Sequence, residues 1–80
     1  MIKSDYAATA GNLQTDLIRI NDLRYRLQRA VEDYASLRAR ALAAEGAGDA
    51  ERAAGLRAEA AALREYGHRV WVALRAATQQ

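Results

Sequence analysis

Apolar residues recur along this chain at alternating steps of three and four. Ile20, Leu23, Leu27, Ala30, Tyr34, Leu37, Ala41 and Ala44 form one run; Ala53, Leu56, Ala60, Leu63, Gly67, Val70, Leu74 and Ala77 form a second. Such spacing keeps one stripe of an α-helix turned toward a partner helix, as in a coiled coil. Gly46-Ala47-Gly48-Asp49 lies between the runs. The pattern predicts an all-α fold, a long antiparallel two-helix hairpin with coiled-coil packing. One hairpin of this size has a small core, so completion by oligomerisation or a partner is expected.

The boundaries follow from local signals. Residues 1–80 read as one domain, with a first helix over 13–45, a turn over 46–49 and a second helix over 50–77. Residues 1–12 read as an arm in which Ser4-Asp5 caps a short helical turn and Gly11-Asn12 interrupts it, leaving Asn12 to cap the long helix. Gly46 suits the left-handed position after a helix end. Asp49 suits the next N-cap, and Glu51 complements the dipole of the first turn. Thr78-Gln79-Gln80 is expected to fray.

Folding the chain about position 47 gives a trial register. Tyr34 then falls near Ala60 and Ala61, Ala30 near Leu63, and Leu27 near Gly67. Leu23 meets Val70, Ile20 meets Leu74 and Leu17 meets Ala77. Gly67 would allow close helix approach beneath Leu27, which would explain a residue that costs ~1 kcal/mol relative to Ala in a helix.

Several large apolar residues fall off the two stripes: Leu17, Ile18, Tyr25, Val31 and Leu42 on the first helix, and Tyr66, Trp71 and Val72 on the second. Ile18 and Tyr25 are seven apart and share a face. Trp71 and Val72 come to a similar height, giving a candidate partner-binding patch of Ile18, Tyr25, Val31, Tyr66, Trp71 and Val72. The competing expectation is that the arm folds back over it.

Composition narrows the classes. There is no Cys or Pro, and the single His68 cannot build a metal cluster, so no metal or cofactor is expected. The first residues lack the apolar core of a secretory signal, and no stretch approaches the ~20 apolar residues that span a bilayer. A cytoplasmic location without membrane association is expected. Asp22 with Arg26, Glu65 with Arg69 and Arg29 with Asp33 read as surface helix pairs. With no shielded acid or nucleophile in view, catalysis and a small-molecule substrate are not expected. Twelve basic residues face ten acidic ones, and eleven of the bases are Arg. Arg19, Arg24, Arg26 and Arg29 offer electrostatic contacts, yet positions 24, 26 and 29 point in different directions, so nucleic acid is the weaker partner class.

The turn and second helix, Gly48-Asp49-Ala50 through Leu56-Arg57-Ala58-Glu59-Ala60-Ala61-Ala62-Leu63, resemble the small helical-hairpin co-chaperones of type III secretion needle subunits. The resemblance covers roughly residues 23–74 and implies cytoplasmic chaperoning through the off-seam apolar face. Secreted WXG-type hairpins are similar in architecture, but Trp-X-Gly is missing from this turn. The function expected is therefore a non-enzymatic, chaperone-like or adaptor module. Its partner would be another protein or a second copy, with a homodimer favoured. A small phage-encoded inhibitor of the anti-CRISPR kind or a minor virion component is the alternative that also acts by binding, and an Arg-rich nucleic-acid binder is the alternative from another class.

Overall fold

The computed structural model describes the backbone of residues 2–79 and the side chains of residues 14–79. Two helices make up the fold, α1 (Ile2–Gly46) and α2 (Ala50–Thr78). They pack against each other along the length of α2 as an antiparallel hairpin measuring 70 × 15 × 14 Å. The all-α hairpin follows from the two stripes.

The N-terminal boundary differs from expectation. The backbone of α1 is helical from Ile2, with no break at Gly11-Asn12 and no N-cap at Asn12. One Gly in a chain without Pro costs ~1 kcal/mol, too little to stop a helix on its own. Side-chain roles at positions 1–13, including the Ser4-Asp5 cap, lie outside the described residues. With α1 continuous, the arm does not fold back over the hairpin. At ~1.5 Å per residue α1 is roughly 67 Å long and α2 roughly 43 Å, so α1 runs on past the end of α2.

The turn is built from a helix stop and a helix start that share one residue. Gly48 takes φ +81°, whereas Gly46 remains inside α1, so the left-handed position falls two residues later than expected. The Gly48 amide donates to the Glu45 carbonyl at 3.0 Å and the Asp49 amide to the Ala44 carbonyl at 2.9 Å. That pair of bonds is a Schellman stop with Gly48 at its C′ position. The Asp49 carboxylate then accepts from the Arg52 amide at 3.1 Å, and its carbonyl accepts from the Ala53 amide at 3.0 Å. Asp49 thus closes α1 with its amide and caps α2 with its side chain. At the other end α2 includes Thr78, whose hydroxyl donates to the Leu74 and Arg75 carbonyls at 3.0 and 3.1 Å.

This turn sets the register. A Cβ built on Gly67 comes 3.6 Å from the Cβ of Ala30, and Ala41, Ala44, Ala53 and Leu56 form a buried cluster against which Leu37 packs. Ala30 with Gly67, Ala41 with Leu56 and Ala44 with Ala53 are each equidistant from a point between Gly48 and Asp49. Gly67 therefore stands over Ala30, not Leu27, and the trial pairs Leu23–Val70, Ile20–Leu74 and Leu17–Ala77 are displaced in the same sense. Leu17 is 61% exposed. The expected reason for Gly67 also fails, because 3.6 Å is an ordinary van der Waals separation that an alanine fits.

The core is made of small residues. Ala30, Ala41, Ala44, Ala53, Leu56, Ala60 and Val70 are buried. Alanine seams let helices approach at the lower end of the ~8–10 Å interaxial range. Gly67→Ala should stabilise the hairpin by about 0.5–1 kcal/mol, seen as a higher urea midpoint at fixed protein concentration. Asp49→Ala should cost about 1 kcal/mol in the same measurement, with helicity lost first from the start of α2.

Candidate interaction surface

Residues beside the seam meet across it in two ways. Glu45 and Arg57 form an ion pair on one long face of the hairpin. Arg26 and Tyr66 come together on the other. There a hydrogen bond with Tyr66, and then the Asp22 carboxylate, raises the Arg26 guanidinium above its ordinary value. Arg26 is charged at neutral pH in any case, so the contact matters for position and not for charge state. Repeating the first geometry every seven residues brings Arg38 opposite Arg64 and Val31 opposite Trp71 on the first face.

The expected patch is therefore not one surface. Ile18 and Tyr25 share the outer back of α1, at 63% and 64% exposure, pointing away from α2. Val72 lies on the outer back of α2, and Tyr66, half-buried, belongs to the second face beside Arg26. Val31 and Trp71 stay together on the first face. The seven-residue repeat allows this grouping to be read from sequence; grouping by height along the hairpin does not.

The electrostatic set is also dispersed. Arg26 pairs with Asp22 at 2.9 Å, and Arg29 lies 3.9 Å from Glu32 and 3.8 Å from Asp33. Arg24 points to the first face, whereas Arg19 borders a shallow second-face hollow with Asp16 and Ala73. The expected Glu65–Arg69 pair is not among the ion pairs of the described residues, and both side chains turn instead to a groove.

That groove, of about 900 Å³, runs along the first face between the helices. Tyr34, Ala41, Leu42, Ala60 and Ala61 supply its apolar lining, and Arg38, Arg57, Arg64, Arg69 and His68 its basic lining. Arg38 donates to the Tyr34 hydroxyl at 3.1 Å and lies 5.9 Å from its ring centroid. Beyond the groove His68 stacks on Trp71 at 6.0 Å, and Arg75 sits 5.3 Å from the Trp71 ring centroid. These three residues continue the same basic and aromatic face. Sequence proximity drew attention to residues 19–29 and missed this site. Its signal was the seven-residue step Arg57, Arg64, Trp71, with Arg38 fourteen after Arg24.

No helix among the described residues is long and apolar enough to cross a membrane. Comparison with protein-family models, curated proteins and solved structures finds no match to this chain.

Burial separates two kinds of substitution. Leu56 is 6% exposed and Trp71 43%. Leu56→Ala should cost about 2–5 kcal/mol in urea unfolding. Trp71→Ala should cost no more than about 1 kcal/mol, from its cation–π and stacking contacts.

Proposed function

We propose that this chain is a non-enzymatic protein-binding hairpin of chaperone or adaptor type, acting in the cytoplasm. One observation carries the reading: the sizes of buried and exposed apolar side chains are inverted. The core is mostly alanine, whereas Leu17, Ile18, Tyr25, Val31, Leu42, Trp71 and Val72 are 43–64% exposed. Full burial of a Val, Leu or Ile side chain stabilises by roughly 1.5–3 kcal/mol. Most of that stabilisation is left for an intermolecular contact to realise. The resemblance to needle-subunit co-chaperones points the same way, and a phage-encoded inhibitor would use the same surfaces. Self-association into a four-helix homodimer is a second route to burying the outer residues.

A nucleic-acid reading has its own supporting observation, the arginines of the first-face groove. Salt separates the two. Binding through an apolar and aromatic face tolerates salt and fails on Trp71→Ala; binding to phosphates weakens steeply with salt and survives that change.

The measurement that tests the proposal is solution mass by light scattering across a dilution series, with helicity recorded alongside. A dimer whose helicity falls as it dissociates on dilution, or a monomer of poor helicity throughout, is expected. A monomer of full, concentration-independent helicity, with no binding partner sensitive to Trp71→Ala, would remove the reason for invoking a partner.

A further inference from the structure

The first-face groove brings arginines and an apolar lining together on one surface. Four guanidiniums border it, Arg38, Arg57, Arg64 and Arg69, and a single carboxylate, Glu65. Arg57 is engaged by Glu45, but neither Arg64 nor Arg69 makes an ion pair among the described residues. The lining between the charges is apolar, and it leads along the hairpin to the exposed pair of positions 31 and 71. The groove therefore offers an apolar trough with a row of arginines on its α2 side and Arg38 alone on its α1 side.

We propose that this groove receives an acidic amphipathic helix of another protein, completing a three-helix bundle on the Arg38/Arg64 face. The inference rests on the protein-binding reading above and names the partner's chemistry. The seven-residue step from Arg57 to Arg64 spans ~10.5 Å of helix, the repeat of a partner helix carrying one carboxylate per heptad. Carboxylates flanking the partner's apolar stripe meet Arg64 on one side and Arg38 on the other. One heptad further along, its apolar residues reach Val31 and Trp71. Side chains at helical spacing thus match the trough, the α2 arginines and Arg38 together.

A second copy fits this face poorly. Two copies docked face to face bring Arg38 and Arg64 of each onto a surface of the same sign, and like-charge juxtaposition selects against that contact. Nucleic acid satisfies the arginines but leaves the apolar lining without a partner. Charge complementarity and apolar burial together favour the acidic helix.

The test uses the full chain and two synthetic helical peptides of about 21 residues, three heptads. Both carry Leu and Ala on the apolar stripe; one has Glu at the flanking positions and the other Lys. Binding is read from the fluorescence of Trp71, the single Trp, with a single-stranded oligonucleotide as competitor. The Glu peptide should bind at least about tenfold more tightly than the Lys peptide. Arg38→Glu with Arg64→Glu should reverse that preference, while circular dichroism shows helicity retained, since both positions are exposed. Equal binding of the two peptides, or an unreversed preference in the double variant, would overturn the proposal. So would displacement of the Glu peptide by the oligonucleotide below about 0.15 M salt and above it alike. A homodimer that excludes the Glu peptide would also overturn it, but would leave the protein-binding reading standing. A fully helical monomer that binds neither peptide and has no Trp71-dependent assembly would end both.

Discussion

Everything about this hairpin depends on the smallness of the side chains between its helices. Ala30 faces Gly67, and Ala41, Ala44, Ala53 and Ala60 fill most of the buried seam. Small residues bring the helix axes close, and close axes leave little interior for large ones, Leu56 and Val70 being the buried exceptions among the described residues. Leucines and aromatics set even one step off the seam are thereby held at the surface. Polar burial costs nothing among the described residues, none of whose polar or charged side chains is buried. The same constraint that makes the pair tight makes it thin, and a thin pair gains little from the hydrophobic effect.

Which residues meet across the seam is decided at the turn. The fold class, the two stripes, the Asp49 cap and the acidic first turn of α2 were legible in the sequence, because each depends on neighbours within one or two helical turns. The register was not. Placing the left-handed residue at Gly46 in place of Gly48 moves the point of symmetry and exchanges Leu27 for Ala30 as the partner of Gly67. Three residues is itself one of the seam spacings, so a slip of that size keeps both stripes facing each other. Periodicity is blind to such a slip; only the backbone of one glycine distinguishes the alternatives. The helix start was hidden for a different reason, since Gly11-Asn12 is a weak signal and the continuing helix outweighs it.

Charge is sorted around the hairpin as well as size. Glu32 and Glu51 occupy outer positions, whereas positions flanking the seam on the first face carry Arg24, Arg38, Arg57 and Arg64 against Glu45, with Glu65 at the groove's edge. A near-neutral total conceals this arrangement. Net charge and local runs of arginine consequently misdirect attention: the run at 19–29 is divided between faces and partly neutralised by Asp22, Glu32 and Asp33. Arg57, Arg64 and Arg69 of the groove lie within thirteen residues of α2, whereas Arg38 precedes Arg57 by nineteen and joins their surface only once the hairpin closes. Half of the candidate site was thus readable as a heptad position, and the other half needed the register.

A thin core beside an open groove would couple folding to the binding of any partner specific to the folded hairpin. A partner that binds only the folded hairpin stabilises it by RT ln(1 + [L]/Kd), about 2.7 kcal/mol at a hundredfold excess over Kd. That gain is comparable with the loss of a buried leucine, so occupancy can decide whether a weakened core stays folded. Surface residues of the groove and buried residues of the seam then both influence the amount of folded complex. They do so by separate routes, since an arginine changes Kd while Leu56 changes the folded fraction available to bind. The two routes separate at saturating partner, where a core defect is compensated by mass action and the complex keeps its intrinsic dissociation rate. A groove defect leaves the free hairpin as stable as before and shortens the life of the complex. The seam and the turn define the geometry, and most of the buried residues there are alanines, while Leu17, Ile18, Tyr25, Val31, Leu42, Trp71 and Val72 stand at the surface.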